Sequence, residues 1–496
     1  MSIGDGRDGK MRAAMARGRL SGRLAGLSLP RQIIAIAGWP LLEQVMAFIC
    51  ASTSLFLATR MGRTPEETTA LAAGIGVVGY VMWMGFLLQG AVGMGATAVV
   101  SRMTGARRFA EANAAANQAA LLGLLAGVLS ALLMFFCSPF LVCRVVELTG
   151  AAQEVALQYM RTAAWVAVFS GVVFALNASL RGSGDTRTPF LVMLCVDGLN
   201  TLLSVVLVDV FDMGVDGLAW GMLGGMGVAC AFLLGLLLWR ALRLRRERAG
   251  ADLDAFAERR GLAYVPPLHL SPRALLPQPL MLFRIVSVGV PQAVEQVVIW
   301  VIQLYIISVI SHLGDAAVGA HNIAIRIESI SFMTAFALGI AGSTIVGQYL
   351  GARNIRMALE AARRCLHFTL WVCGAMGVVF FLFPTLFVAV FAKESPALLA
   401  AAVPVVRVFL IAEPLYAGML SIKMCLRGAG DTLRVMWVSF GSMGLIRVGG
   451  LLLWQCCAPA SMTLVGIWLL FTVDMAVQFV ILRRMLYGLR WTRRQV

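Results

Sequence analysis

Eight ionisable side chains interrupt otherwise apolar stretches of this chain: Glu43, Asp197, Glu295, Arg326, Glu328, Glu413, Arg447 and Asp474. In a stretch that crosses a bilayer, a central charge costs about 2.5–3.5 kcal/mol on insertion scales, which makes each a functional candidate. A carboxylate in that setting can hold a proton or a cation. Glu43, Asp197, Glu295, Glu328 and Glu413 are the candidates for that role. Acids outnumber bases six to two in the set, which suits cationic cargo better than anionic.

Helical spacing sorts these residues by their company. Glu43 shares a face with Cys50 and Ser54, and Asp197, Asn200, Thr201 and Ser204 form a polar stripe. Gln292, Glu295, Gln296 and Gln303 form a second stripe. No base lies in the stretches that carry Glu43 and Glu295, which argues against an ion-pair lock at either. His321 and Glu328 are cofacial, whereas Arg326 points elsewhere and needs a partner on another helix, as an ion-pair lock or as a ligand residue. Glu413 precedes Pro414, so it either satisfies backbone freed at a kink or binds a proton. Asp474 and Arg447 could pair. Gln44, Tyr80 and the polar residues of both stripes, with Ser54, His321 and Arg326, are expected to line a substrate cavity. Trp83, Trp300 and Tyr305 could join Tyr80 in offering cation–π surface.

The elements that position these residues follow from composition. The 496 residues are 60% hydrophobic and 13% charged, with a mean hydropathy of +0.84; ordinary soluble chains are about 45–50% apolar and about 25% charged. Twelve stretches, from 33–59 to 463–482, are long and apolar enough to span. The expected class is an all-α polytopic membrane protein. Basic residues gather between the spans: 33 of 41 fall in segments on one side and four (Arg60, Arg63, Arg144 and Lys393) on the other. The positive-inside rule then places both termini in the cytoplasm of a bacterial-type inner membrane. This pattern, not nucleic-acid binding, accounts for the net charge of +16. Cys137 and Cys143 flank one expected outer loop and could pair. No metal-ligand cluster, HExxH motif or Ser-His pairing is present, so neither an enzyme nor a metal site is expected.

The chain repeats itself. Leu180-Arg181-Gly182-Ser183-Gly184-Asp185-Thr186 returns 246 residues later as Leu426-Arg427-Gly428-Ala429-Gly430-Asp431-Thr432. Pro40 with Glu43 and Gln44 is echoed by Pro291 with Glu295 and Gln296. Two parallel six-span halves are expected, 33–239 and 285–486, joined by a cytoplasmic linker 240–284 and flanked by tails 1–32 and 487–496. In each repeat the glycines allow a tight reversal, Asp185 or Asp431 can cap the next helix, and Arg181 or Arg427 can hold the end at the headgroups.

These repeated motifs, with Gly347-Gln348-Tyr349-Leu350-Gly351-Ala352, the stretch from Gly319 to Glu328 and Gly466-Ile467-Trp468, resemble the multidrug and toxic compound extrusion (MATE) family over roughly 33–486. The resemblance implies an N-lobe and a C-lobe, each of six helices, in a V-shaped arrangement. It also implies export of organic, often cationic compounds in exchange for protons or sodium, with no other cofactor, by a monomer among membrane lipids. Ser54 stands where many members carry an Asp, so the family's ion ligands do not carry over. The competing reading is a lipid-linked oligosaccharide flippase of the same superfamily.

Overall fold

The computed structural model describes residues 20–61, 65–140, 142–143, 150–247, 253–261, 263–272, 274–392 and 395–494. Among them every regular element is helical. The first half contains α1 (Leu29–Met61), α2 (Pro65–Gly105), α3 (Phe109–Phe140), α4 (Gly150–Gly182), α5 (Arg187–Val205) and α6 (Gly214–Arg246). A short α7 (Leu253–Arg260) lies in the linker. The second half contains α8 (Pro279–Ser311), α9 (Asp315–Gly351), α10 (Ile355–Leu382), α11 (Pro384–Ala392), α12 (Pro396–Gly428), α13 (Thr432–Ser442), α14 (Gly449–Cys457) and α15 (Leu464–Tyr487). Eleven helical stretches are long and apolar enough to cross a membrane among the described residues. The second of the twelve expected spans lies in the 41-residue α2. A π-helical segment, Met443–Val448, joins α13 to α14 and carries Arg447.

Helices form throughout because lipid leaves backbone groups no partner outside their own segment. Small residues set how closely the helices approach. A Cβ on Gly123 would lie 2.3 Å from the carbonyl oxygen of Gly171, and one on Gly127 2.6 Å from that of Ala167, so α3 and α4 touch backbone to backbone. Large apolar side chains such as Leu125, Phe136, Trp371 and Val390 are exposed. On a spanning helix, that is the face lipid covers.

The chain forms two compact units, and their limits differ from those of the expected halves. Of the described residues, the first takes 20–26 and those from 42 to 293; the second takes 27–41 and those from 294 to 494. Each dividing point within a helix follows a proline: Pro40 in α1 and Pro291 in α8.

The linker belongs to the first unit and is docked there. Asn113, Asn117 and Gln118 of α3 accept hydrogen bonds from the backbone N–H groups of His269 (2.8 Å), Ser271 (3.1 Å) and Gln278 (3.0 Å). The same amides donate back: Asn117 to the His269 carbonyl, and Gln118 to those of Ala274 and Leu276. Asp254 of α7 accepts from the N–H of Ala110. Outside the spans, burial and nearby Arg245 hold the His269 imidazole below its usual range.

Candidate functional site

Both glycine-rich repeats close their helices with one hydrogen-bond pattern. Gly184 N–H donates to the Arg181 carbonyl and Asp185 N–H to that of Leu180; Gly430 and Asp431 do the same to Arg427 and Leu426. Gly184 and Gly430 have φ of +93° and +86°, which side chains rarely adopt. Asp185 accepts from Thr188 N–H at 3.1 Å, capping α5, and is held by Arg240 of α6. Asp431 makes no cap; it pairs with Arg434 and with Arg494 of the C-terminal tail.

The arginines of these turns do not follow the headgroup reading. Arg181 Nη2 donates to both carboxylate oxygens of Glu43, at 2.5 and 2.7 Å. Arg427 Nη2 donates to Glu295 Oε2 at 2.8 Å, while Ser439 Oγ donates to Oε1 at 2.6 Å and Lys423 Nζ lies 3.5 Å from that oxygen. Both glutamates are buried. The expectation that Glu43 and Glu295 lack a basic partner is thereby corrected: the partner comes from another helix, which scanning each span alone does not reveal. Lys423, buried in α12, is a further intramembrane charge absent from the sequence-based set. Its signal was the repeat itself, in which it stands opposite Asn177.

In the first unit, Asp197 is buried and its Oδ2 has no hydrogen-bond partner among the described residues. Its stripe is organised around a sulfur: Asn200 Nδ2 and Thr201 Oγ1 both lie 3.4 Å from Cys50 Sγ, and Ser204 Oγ donates to Asn200 Oδ1 at 3.1 Å. Ser54 borders the same thiol. The geometry therefore joins α1 to α5 through Cys50, which sequence spacing placed on the Glu43 face without a role.

In the second unit, Asp474 of α15 receives hydrogen bonds from Arg447 Nε (2.5 Å), from Ser442 and from Gln478. Asp474 and Arg447 are thus a closed pair. Glu413 differs. It is 1% exposed and has no basic partner among the described residues; the Ser331 hydroxyl lies beside it without forming a close hydrogen bond. Glu328 is within electrostatic reach of both Glu413 and Arg447. His321 is buried against Trp468, with ring centroids 5.6 Å apart and both ring nitrogens unpartnered among the described residues.

Other expected cavity residues scatter. Arg326 is exposed and forms no ion pair among the described residues, so of its two readings the inter-helix lock is not seen. Gln292 falls in the first unit, whereas Gln296 and Gln303 fall in the second. Gln44 is half-buried, and Tyr305 donates to Gln455 at 3.0 Å. The side chains of Tyr80, Trp83 and Cys137 lie outside the described residues, and with them the Cys137–Cys143 pairing. Among the described residues no group of three or more His, Cys, Asp or Glu is arranged for a metal.

A duplicated helical scaffold whose buried carboxylates are sorted into closed pairs and open sites is that of a multi-pass membrane transporter. The sequence profile of the MatE family matches residues 41–206 and 291–451, and the chain belongs to that family. Its members are transporters, not enzymes. The chain is 27% identical over 380 residues to a probable multidrug resistance protein NorM of Thermotoga maritima, covering 76% of each. It is 25% identical to a protein of the same name from Acinetobacter baylyi, covering 90% of this chain and 94% of that one. In fold it resembles a MOP superfamily transporter from Pyrococcus furiosus, with a TM-score of 0.77 at 19% identity, covering 94% of this chain and 97% of the other. An outward-facing multidrug resistance MATE family transporter gives a TM-score of 0.76 at 18% identity, covering 97% and 98%.

Proposed function

We propose that this protein is a secondary active exporter of organic cations or amphipathic compounds, driven by protons entering through its buried carboxylates. The observation that carries the reading is the sorting of acids. Glu43, Glu295 and Asp474 are neutralised by arginine, whereas Asp197 and Glu413 are buried with at least one oxygen lacking any partner among the described residues. An ionised carboxylate is not stable in that state; it takes a proton or a cation. Sodium needs several oxygens at fixed distances, and the organised neighbour in the Asp197 stripe is the Cys50 sulfur. A proton needs only the carboxylate. The multidrug names of the relatives support the substrate class, and the distribution of Lys and Arg supports an inner-membrane protein with both termini cytoplasmic.

The test is uptake of ethidium into proteoliposomes under an imposed pH or sodium gradient. The pH gradient alone should drive the wild-type protein, and Asp197→Asn and Glu413→Gln should each abolish that uptake while still binding ethidium. Uptake that follows sodium without a pH gradient, or persists in both variants, sinks the proposal.

A further inference from the structure

The two Glu–Arg locks are built alike but charged differently. At the shift of 246, Arg181 corresponds to Arg427, Asn177 to Lys423 and Met193 to Ser439. In the first unit the lock is one acid against one base, and Asn177 stands beside it in sequence register with both polar side-chain atoms unpartnered among the described residues. In the second unit the same place holds two cations around one carboxylate. The side chains of Lys423, Arg427 and Glu295 are 6%, 5% and 1% exposed. The cluster therefore carries one positive charge more than its counterion neutralises. The charged groups within reach of Lys423 are Glu295 from α8, Arg427 on its own helix, Arg447 from the π-helical segment and Asp474 from α15. The last two pair with each other, and Arg447 also faces Glu328, so at Glu295 itself two cations still share one carboxylate.

A buried, uncompensated cation costs far more than a paired one. Of the two candidates to relieve it, a guanidinium stays charged, whereas an ammonium can give up its proton. Lys423 Nζ also donates to Ser439 Oγ at 2.7 Å, a bond that the ammonium and the neutral amine can both make because each keeps N–H groups. Arg427 keeps Glu295 paired in either case.

We propose that Lys423 is a proton-exchanging group of the second unit, alternating between ammonium and neutral amine while the Glu295–Arg427 pair stays closed. In each cycle one proton leaves Nζ for cytoplasmic water and one returns from the opposite side; no other bond changes. This inference rests on the proton-driven reading and adds to it a basic site beside the acidic ones.

Lys423→Arg fixes the charge, and Lys423→Asn restores the residue found in the other repeat. Both are assayed in proteoliposomes for ethidium uptake driven by a pH gradient and for ethidium–ethidium exchange without one, after size-exclusion chromatography has confirmed that they are folded. Both should lose gradient-driven uptake by about tenfold or more while keeping exchange. A purely structural lysine would instead tolerate Arg and suffer from Asn. Wild-type uptake that follows the pH gradient, with Lys423→Arg equally active, overturns this inference alone. Wild-type protein that ignores the pH gradient overturns the coupling reading and this inference together. Should Lys423→Arg fail to fold, Lys423→Asn decides: full gradient-driven uptake overturns the proposal, and loss with exchange intact supports it.

Discussion

Replacing Glu295 with Gln removes the carboxylate that Lys423 and Arg427 share. Breaking a buried ion pair from one side costs about 3–5 kcal/mol. Glu43→Gln takes the carboxylate away from one cation; Glu295→Gln takes it away from two, so it should lower the melting temperature of the detergent-solubilised protein further. Equal melting temperatures for the two variants would contradict the charge assignment. Glu413→Gln should melt no lower than the wild type, since no base pairs with this carboxylate among the described residues and an amide of the same shape can still accept from Ser331. These residues were legible in the sequence as charges inside apolar stretches, but their pairing was not. Glu43 and Arg181 are 138 residues apart, and an arginine at a helix end reads equally well as a headgroup anchor. Lys423 was hidden for the same reason, lying in the last turns of its span.

The turns were the most legible elements, because a positive φ demands glycine and the motif occurs twice. The two copies are nonetheless packed unequally. A Cβ on Gly428 would lie 2.4 Å from the Ser343 carbonyl oxygen, whereas one on Gly182 would lie 3.0 Å from that of Thr97. Overpacking costs about 1–3 kcal/mol, so Gly428→Ala should destabilise more than Gly182→Ala in thermal melts; the reverse order would refute the packing argument. The docked linker was not legible, since side-chain amides on α3 accept from backbone and leave no pattern in the segment they hold. It brings a pH dependence of its own. The folded state disfavours protonated His269, so its contribution is fully present above the imidazole's ordinary value of about 6.5 and is lost as the pH falls below it. Protection factors at 263–278, the intrinsic exchange rate at each pH over the observed one, should fall between about pH 7.5 and pH 5.5, and His269→Ala should abolish the change. Protection factors unaffected by pH would count against docking through this ring.

At the scale of the whole molecule, hydropathy gave the spans, and the charge distribution supports an orientation that an impermeant thiol reagent can check. With Cys137, half-buried Cys143 and exposed Cys456 and Cys457 replaced by Ser, Ser311→Cys should label on intact cells and Arg260→Cys should not; the opposite result would invert the topology. The unit limits were illegible, because each proline marks a helix without saying which neighbours the residues before it will choose. The docked linker bears on the covalent integrity of the protein. Glu247, at the end of α6, pairs with Arg260 of α7 at 3.1 Å, and from there to residue 293 the chain stays within the same compact unit. A polypeptide nicked between Glu247 and Leu253 therefore has both stubs held by side-chain contacts. Two separately translated fragments should find each other and reconstitute a working carrier, so this is where a foreign domain could be spliced in with least harm.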